Sequence, residues 1–300
     1  MTNLYTHQDE NVGKTWALMA VFLAVVVVIG YAASWYFRAP GILYIAVVFA
    51  LLTNIWSYWN SDKVALSLSR AEPADETQYH DLHNIVENLA ITAGLPKPRV
   101  YIINDQSPNA FATGRNKEHA AIAVTTGLLA IMNKTELEGV LAHELSHIGN
   151  RDILVSTVAV VLVGFIAMLS DIALRAAWWG GGDREERQNP IAAAMVIVVM
   201  ILAPIIATLL QLAISRRREF LADASGALLT RYPEGLASAL RKLQAQSAPM
   251  RHASNATAHL FISNPFGLPA QAGAHAREGM LVRLFSTHPP IEERIKALVG

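Results

Sequence analysis

The chain has 300 residues, of which 53% are hydrophobic and only 16% charged, a balance more apolar than that of ordinary soluble proteins, so a membrane protein is expected. Its formal net charge is zero, which gives no reason to expect a nucleic-acid partner. There is no cysteine, so disulfide staples and thiolate metal sites are excluded.

In chain order, residues 1–15 read as a polar N-terminal tail mixing Asp9 and Glu10 with Lys14. Two apolar runs follow, Trp16 to Phe37 and Ile42 to Trp59. At about 1.5 Å per residue, each is near the length that crosses a roughly 30 Å hydrocarbon core. The first is longer than a signal-peptide core and the second follows at once, so residues 16–59 are predicted to form a transmembrane hairpin rather than a cleaved leader. Trp56, Tyr58 and Trp59 then form an interfacial aromatic belt. The block 60–152 is polar. It is read as a helix from about Asp75 to Ala93, a strand at Arg99 to Ile103, a strand around Ala120 to Thr125, and a helix from about Lys134 to Asn150 capped by Asn133 or Thr135.

A second apolar pair, Ile153 to Leu174 and Ile191 to Ile214, predicts another hairpin over residues 153–214. The joining stretch RAAWWGGGDREERQNP is a solvated turn, and Pro204 and Gln211 are set to kink the last span or meet a partner helix. The closing block, 215–300, holds a helix through REFLADASGALL, one after Pro233 and one after Pro290. The expected fold class is α+β and mostly helical. Four transmembrane helices in two hairpins would accompany a catalytic domain with a small sheet, assembled from both polar blocks.

The chemistry is carried by VLAHELSHIGNRD. On a helix, positions i and i+4 share a face, so His143 and His147 can point at one ion, with Glu144 beside them as a general base. Imidazole suits zinc, and catalytic zinc needs a third protein ligand. Asn150 and Ile153 stand where a metzincin would need glycine and histidine, so that class is excluded. The alternative, gluzincin-like arrangement takes a glutamate from a second helix and an aspartate one turn on that orients a histidine. SRRREFLADASG offers Glu219 and Asp223 at that spacing. Glu219 lies beyond both later apolar runs, so it can reach the same ion only if the chain crosses the membrane and returns. Lys14, Lys63, Arg70, Arg151 and Arg216 to Arg218 fall on the site's side, against Arg38, Arg175, Arg184 and Arg187 opposite, which places the site in the cytoplasm. The rival readings are an intramembrane zinc protease and a four-span channel or scaffold. The charged start of the HELSH helix opposes the first, and the scarcity of ionisable groups along the spans opposes the second.

HELSH followed by NRD, the glutamate of RRREFLADA, the segment NAFATG and the C-terminal FSTHPP together resemble the HtpX heat-shock membrane metallopeptidases, relatives of the CAAX prenyl endopeptidases. The likeness spans roughly Asp62 to the C-terminus. It implies one zinc ion per chain and an inner-membrane endopeptidase active on the cytoplasmic side, which clears misfolded or damaged membrane proteins. It further implies that Asn109, Ala110, Phe111 and Ala112 form a cleft edge where substrate adds as a strand. His288 of THPP would approach the site and steady the oxyanion, although by its neighbours alone it reads as a turn residue. The expected chemistry is peptide hydrolysis by a zinc-bound water that Glu144 deprotonates.

Overall fold

The structure, a computed structural model, describes residues 4–179, 216–267 and 289–300. It opens with α1 (Leu4–Phe37) and α2 (Gly41–Leu68), packed on each other around a short turn. Asp9–Trp35 and Gly41–Leu68 have mean hydropathies of 2.5 and 1.7, long and apolar enough to cross a membrane. Val28, Trp35, Tyr44, Ile45, Leu52 and Ile55 project outward from them, each more than half exposed, a collar that suits lipid rather than water. The helix already begins at Leu4, so the segment expected as a tail is continuous with the first span.

There follow β1 (Ala71–Pro73), α3 (His80–Ala93), β2 (Arg99–Ile103), β3 (Ala110–Thr113), β4 (Ala121–Thr125), α4 (Thr126–Ile131), α5 (Lys134–Gly149) and α6 (Asp152–Trp179). After residue 215 come α7 (Arg216–Thr230), α8 (Pro233–Ala245) and α9 (Ile291–Val299). α3 starts later than the sequence predicts, because the Asp75 carboxylate accepts the amides of Thr77 and Gln78 at 2.9 and 2.8 Å and so holds the preceding residues in a turn. It stops as expected at Gly94, whose φ of 66° is the left-handed conformation open to glycine. α5 and α6 meet at 83° and together pass as a third span by length and composition. The fourth expected span, with Pro204 and Gln211, lies outside the described residues.

The sheet has the order β1-β2-β4-β3, with β2 and β4 parallel and both outer pairings antiparallel. All five residues of β4, AIAVT, are buried, as befits a central strand covered on both faces. Ile122 and Val124 face a core shared with α3, α5 and α8, while Ala121 and Ala123 face Ala65, Leu66 and Val160 of α2 and α6. The sheet is thus wedged between the membrane helices and the HELSH helix, and its edge strand β3 lies beside α5. The short strands β1 and β3 are additions to the two strands the sequence predicts.

Candidate metal centre

α5 is set by local chemistry at its start and close packing along its length. Asn133, one of the two residues expected to cap it, accepts the Glu136 amide at 3.0 Å, and Glu136 accepts the Asn133 amide at 2.9 Å in return. α7 crosses α5 at Gly226, where an added Cβ would sit 2.9 Å from the His143 amide nitrogen. Only glycine allows that approach, and the approach brings Glu219 and Asp223 of α7 to the histidines. At the far end, Arg151 takes the left-handed φ of 59°, a conformation costing a non-glycine residue on the order of 1–2 kcal/mol. That turn ends α5 and swings Asp152 back toward His147.

His143, His147 and Glu219 converge, each offering an atom within 4.8 Å of the others. The two Nε2 atoms are 3.2 Å apart, Glu219 Oε1 lies 3.6 Å from His147 Nε2, and Glu219 Oε2 lies 3.9 Å from His143 Nε2. Bonds of about 2.0–2.1 Å at tetrahedral angles put ligand atoms about 3.3 Å apart, so this donor set fits zinc with small adjustment. The other ring nitrogens are tied back. His143 Nδ1 meets Asp223 at 2.9 Å and His147 Nδ1 meets Asp152 at 3.0 Å. Each carboxylate fixes a tautomer in which Nε2 presents its lone pair to the ion.

The electrostatics favour a cation at the same point. Burial drives His143 down to about 4, so its ring is neutral. Burial opposes a proton on His147 too, but the Asp152 hydrogen bond and the charges of Glu219 and Glu144 outweigh it and raise that group to about 9. Three carboxylates therefore surround His147, and a divalent ion answers the same field as a proton would. Burial lifts Glu144, 2% exposed, to about 7; the His147 charge opposes the rise and Glu219 adds to it. Asp223 is held near 2, burial notwithstanding, by Arg294. That arginine, fully buried, grips it at 2.6 and 2.8 Å.

The sequence-based site is thus brought together at His143, Glu144, His147, Glu219 and Asp223, and His288 lies outside the described residues. The Asn109 side chain is occupied, its oxygen accepting the Ser263 amide at 3.1 Å and its nitrogen donating to the Ser263 carbonyl at 2.9 Å. The Ala110 carbonyl accepts from Ile262 N–H at 2.9 Å, and the fully buried Phe111 packs edge-on against Phe261 with centroids 5.0 Å apart. Ala112 lies on the edge strand β3, beside α5. Sequence reasoning missed Asp152 and Arg294. NRD after HELSH was the available signal for the first, whereas an arginine in the final helix carries none.

A family model described as peptidase family M48 matches residues 76–300. The chain belongs to this family. Among its relatives are proteins named protease HtpX homolog. One from Caldanaerobacter subterraneus subsp. tengcongensis is 49% identical over 98% of this chain and 97% of its own length. Another, from Pyrococcus furiosus, is 48% identical over 95% and 94%, and one from Streptococcus gordonii is 45% identical over 98% and 99%. The fold is similar to the crystal structure of S. mikatae Ste24p, with a TM-score of 0.50 at 18% identity, covering 95% of this chain and 62% of that one. As an M48 peptidase the chain is a metallopeptidase, a hydrolase, and its apolar helices associate it with the membrane.

Proposed function

We propose that this M48 peptidase is a zinc endopeptidase whose ligands are His143, His147 and Glu219, whose general base is Glu144, and whose ligand-orienting carboxylates are Asp223 and Asp152. The convergence of two imidazoles and one carboxylate from helices distant in sequence, at separations that suit zinc, carries this reading. Bound zinc would supply Lewis acidity, polarising the scissile carbonyl and lowering the pKa of a water towards about 7. Glu144, buried beside the ligands, takes a proton from the attacking water and returns it to the leaving amine. An extended peptide adding along β3 would meet Ala112, because Ile262 already pairs with Ala110.

The two polar blocks, 60–152 and 215–300, form one gluzincin-like catalytic unit carried on hairpins at 16–59 and 153–214. Support comes from the contacts that α5 makes with α7 and α8. Basic residues Lys14, Lys63, Arg70 and Arg151 flank the spans on the site side, which favours the cytoplasmic face of the inner membrane. The apolar helices α1 and α2, which carry the catalytic unit on a membrane-length hairpin, favour misfolded or damaged membrane proteins as substrates. Glu144→Gln should retain zinc and lose cleavage of an unfolded substrate. Wild-type turnover by the metal-replete variant would refute the assignment of the base, and full zinc occupancy in Glu219→Ala would refute that of the third ligand.

A further inference from the structure

The first turns of α1 precede the region matched to the peptidase family, and their sequence announces no role. Asn11 is nevertheless 2% exposed and sits where three helices meet. Its Nδ2 donates to Asp152 Oδ1 at 2.7 Å and to the Asn150 carbonyl at 3.0 Å, and its Oδ1 accepts from Arg218 Nη1 at 3.3 Å. The other oxygen of Asp152 is the one that holds His147 Nδ1, at 3.0 Å. Arg218 is the residue before Glu219, and its Nε stands 3.8 Å from Asp152 Oδ1.

One amide thus fixes the carboxylate that orients one candidate ligand and anchors the arginine adjoining another. It also ties down the Asn150 carbonyl, at the turn that swings Asp152 into place. A side chain that only glued helices together would have no need to meet both. Without the Asn11 donor, Asp152 Oδ1 would keep only the longer Arg218 contact among the described residues. The carboxylate could then rotate and the His147 ring with it.

We infer that Asn11 is a positioning residue of the metal centre, so that the N-terminal turns of the first hydrophobic helix set how tightly the catalytic domain holds its ion. This rests on the zinc reading above. Partners that orient metal ligands typically govern affinity by about 10- to 100-fold, and Asn11 acts through such a partner.

The test uses the full chain in detergent, with zinc affinity read by chelator competition and ligand geometry by the visible spectrum of the cobalt-substituted protein. Thermal unfolding of the chelated protein serves as the fold control. Asn11→Ala should weaken zinc about 10-fold, shift the cobalt bands toward those of Asp152→Asn, and add little on the Asp152→Asn background, because the two residues act in series. Asn11→Leu, close to asparagine in shape and at home in an apolar helix, gives the same reading should the alanine variant fail to fold. Wild-type affinity and cobalt bands in Asn11→Leu, or full additivity with Asp152→Asn, would overturn the inference while leaving the zinc site standing. A wild-type chain that binds no zinc would remove both.

Discussion

Asp223→Ala separates the structural from the metal-binding role of the buried charges. Asp223 is 1% exposed and Arg294 fully buried, and they share a two-pronged contact at 2.6 and 2.8 Å. Once the carboxylate is gone, the nearest alternatives for the guanidinium are the Ile262 carbonyl at 3.4 Å, the His143 ring at 3.5 Å and Glu219 at 3.9 Å. None of these replaces a desolvated counter-charge. Breaking such a pair from one side costs about 3–5 kcal/mol, a large share of the roughly 5–15 kcal/mol that holds a folded domain together. Replacing both members with apolar residues avoids the stranded charge, so Asp223→Leu combined with Arg294→Met should recover most of the loss. Zinc affinity should not recover, because His143 Nδ1 has lost its acceptor in both variants. The assay is unfolding of the chelated protein in detergent, beside zinc titration of the same samples. Equal unfolding of the single and double variants would refute a stranded charge, and undiminished zinc affinity in both would refute the orienting role.

Gly226→Ala should weaken zinc binding and lower the melting temperature, since its Cβ would press on the His143 amide at 2.9 Å; at an open helical position the same change stabilises by about 0.5–1 kcal/mol, so a stabilised variant would refute the close packing. Burial alone would raise the Glu136 carboxyl, but hydrogen bonds from Lys242, the Asn133 amide and Ser238 outweigh it and hold the group below its ordinary 4.5. Its contribution is complete above that value and is lost as pH falls through the lower folded value, so Glu136→Gln should destabilise at neutral pH and flatten the acid limb of a stability profile. Chelating the ion from the wild type should lower stability by about 2.7 kcal/mol where free zinc had stood 100-fold above its Kd, and Glu219→Ala should show no response to zinc or chelator in the same melts.

The helices and the candidate ligand residues were legible because their signals are local. HELSH puts two imidazoles on one helix face by spacing alone, Glu219 and Asp223 repeat the device on α7, and Asn133 with Glu136 marks where α5 begins. β1 and β3, of three and four residues, are too short for a periodic pattern and exist because longer neighbours offer them hydrogen bonds. Asn11 shows the same limit. It is polar and nothing near it in sequence marks a partner, yet its donors and acceptor are spent on groups more than a hundred residues away.

By itself, then, the chain determined its apolar helices, its HELSH helix and the identity of the candidate ligand side chains, since each depends on residues within a turn or two of one another. Only the tertiary structure decided how those ligands are held. The left-handed turn at Arg151 aims Asp152, the contact at Gly226 brings Glu219 and Asp223 to the histidines, and the last helix inserts Arg294 beneath them. The physical reason is that a buried charge or amide is tolerated only where distant segments meet to satisfy it, and no spacing along the chain encodes that meeting.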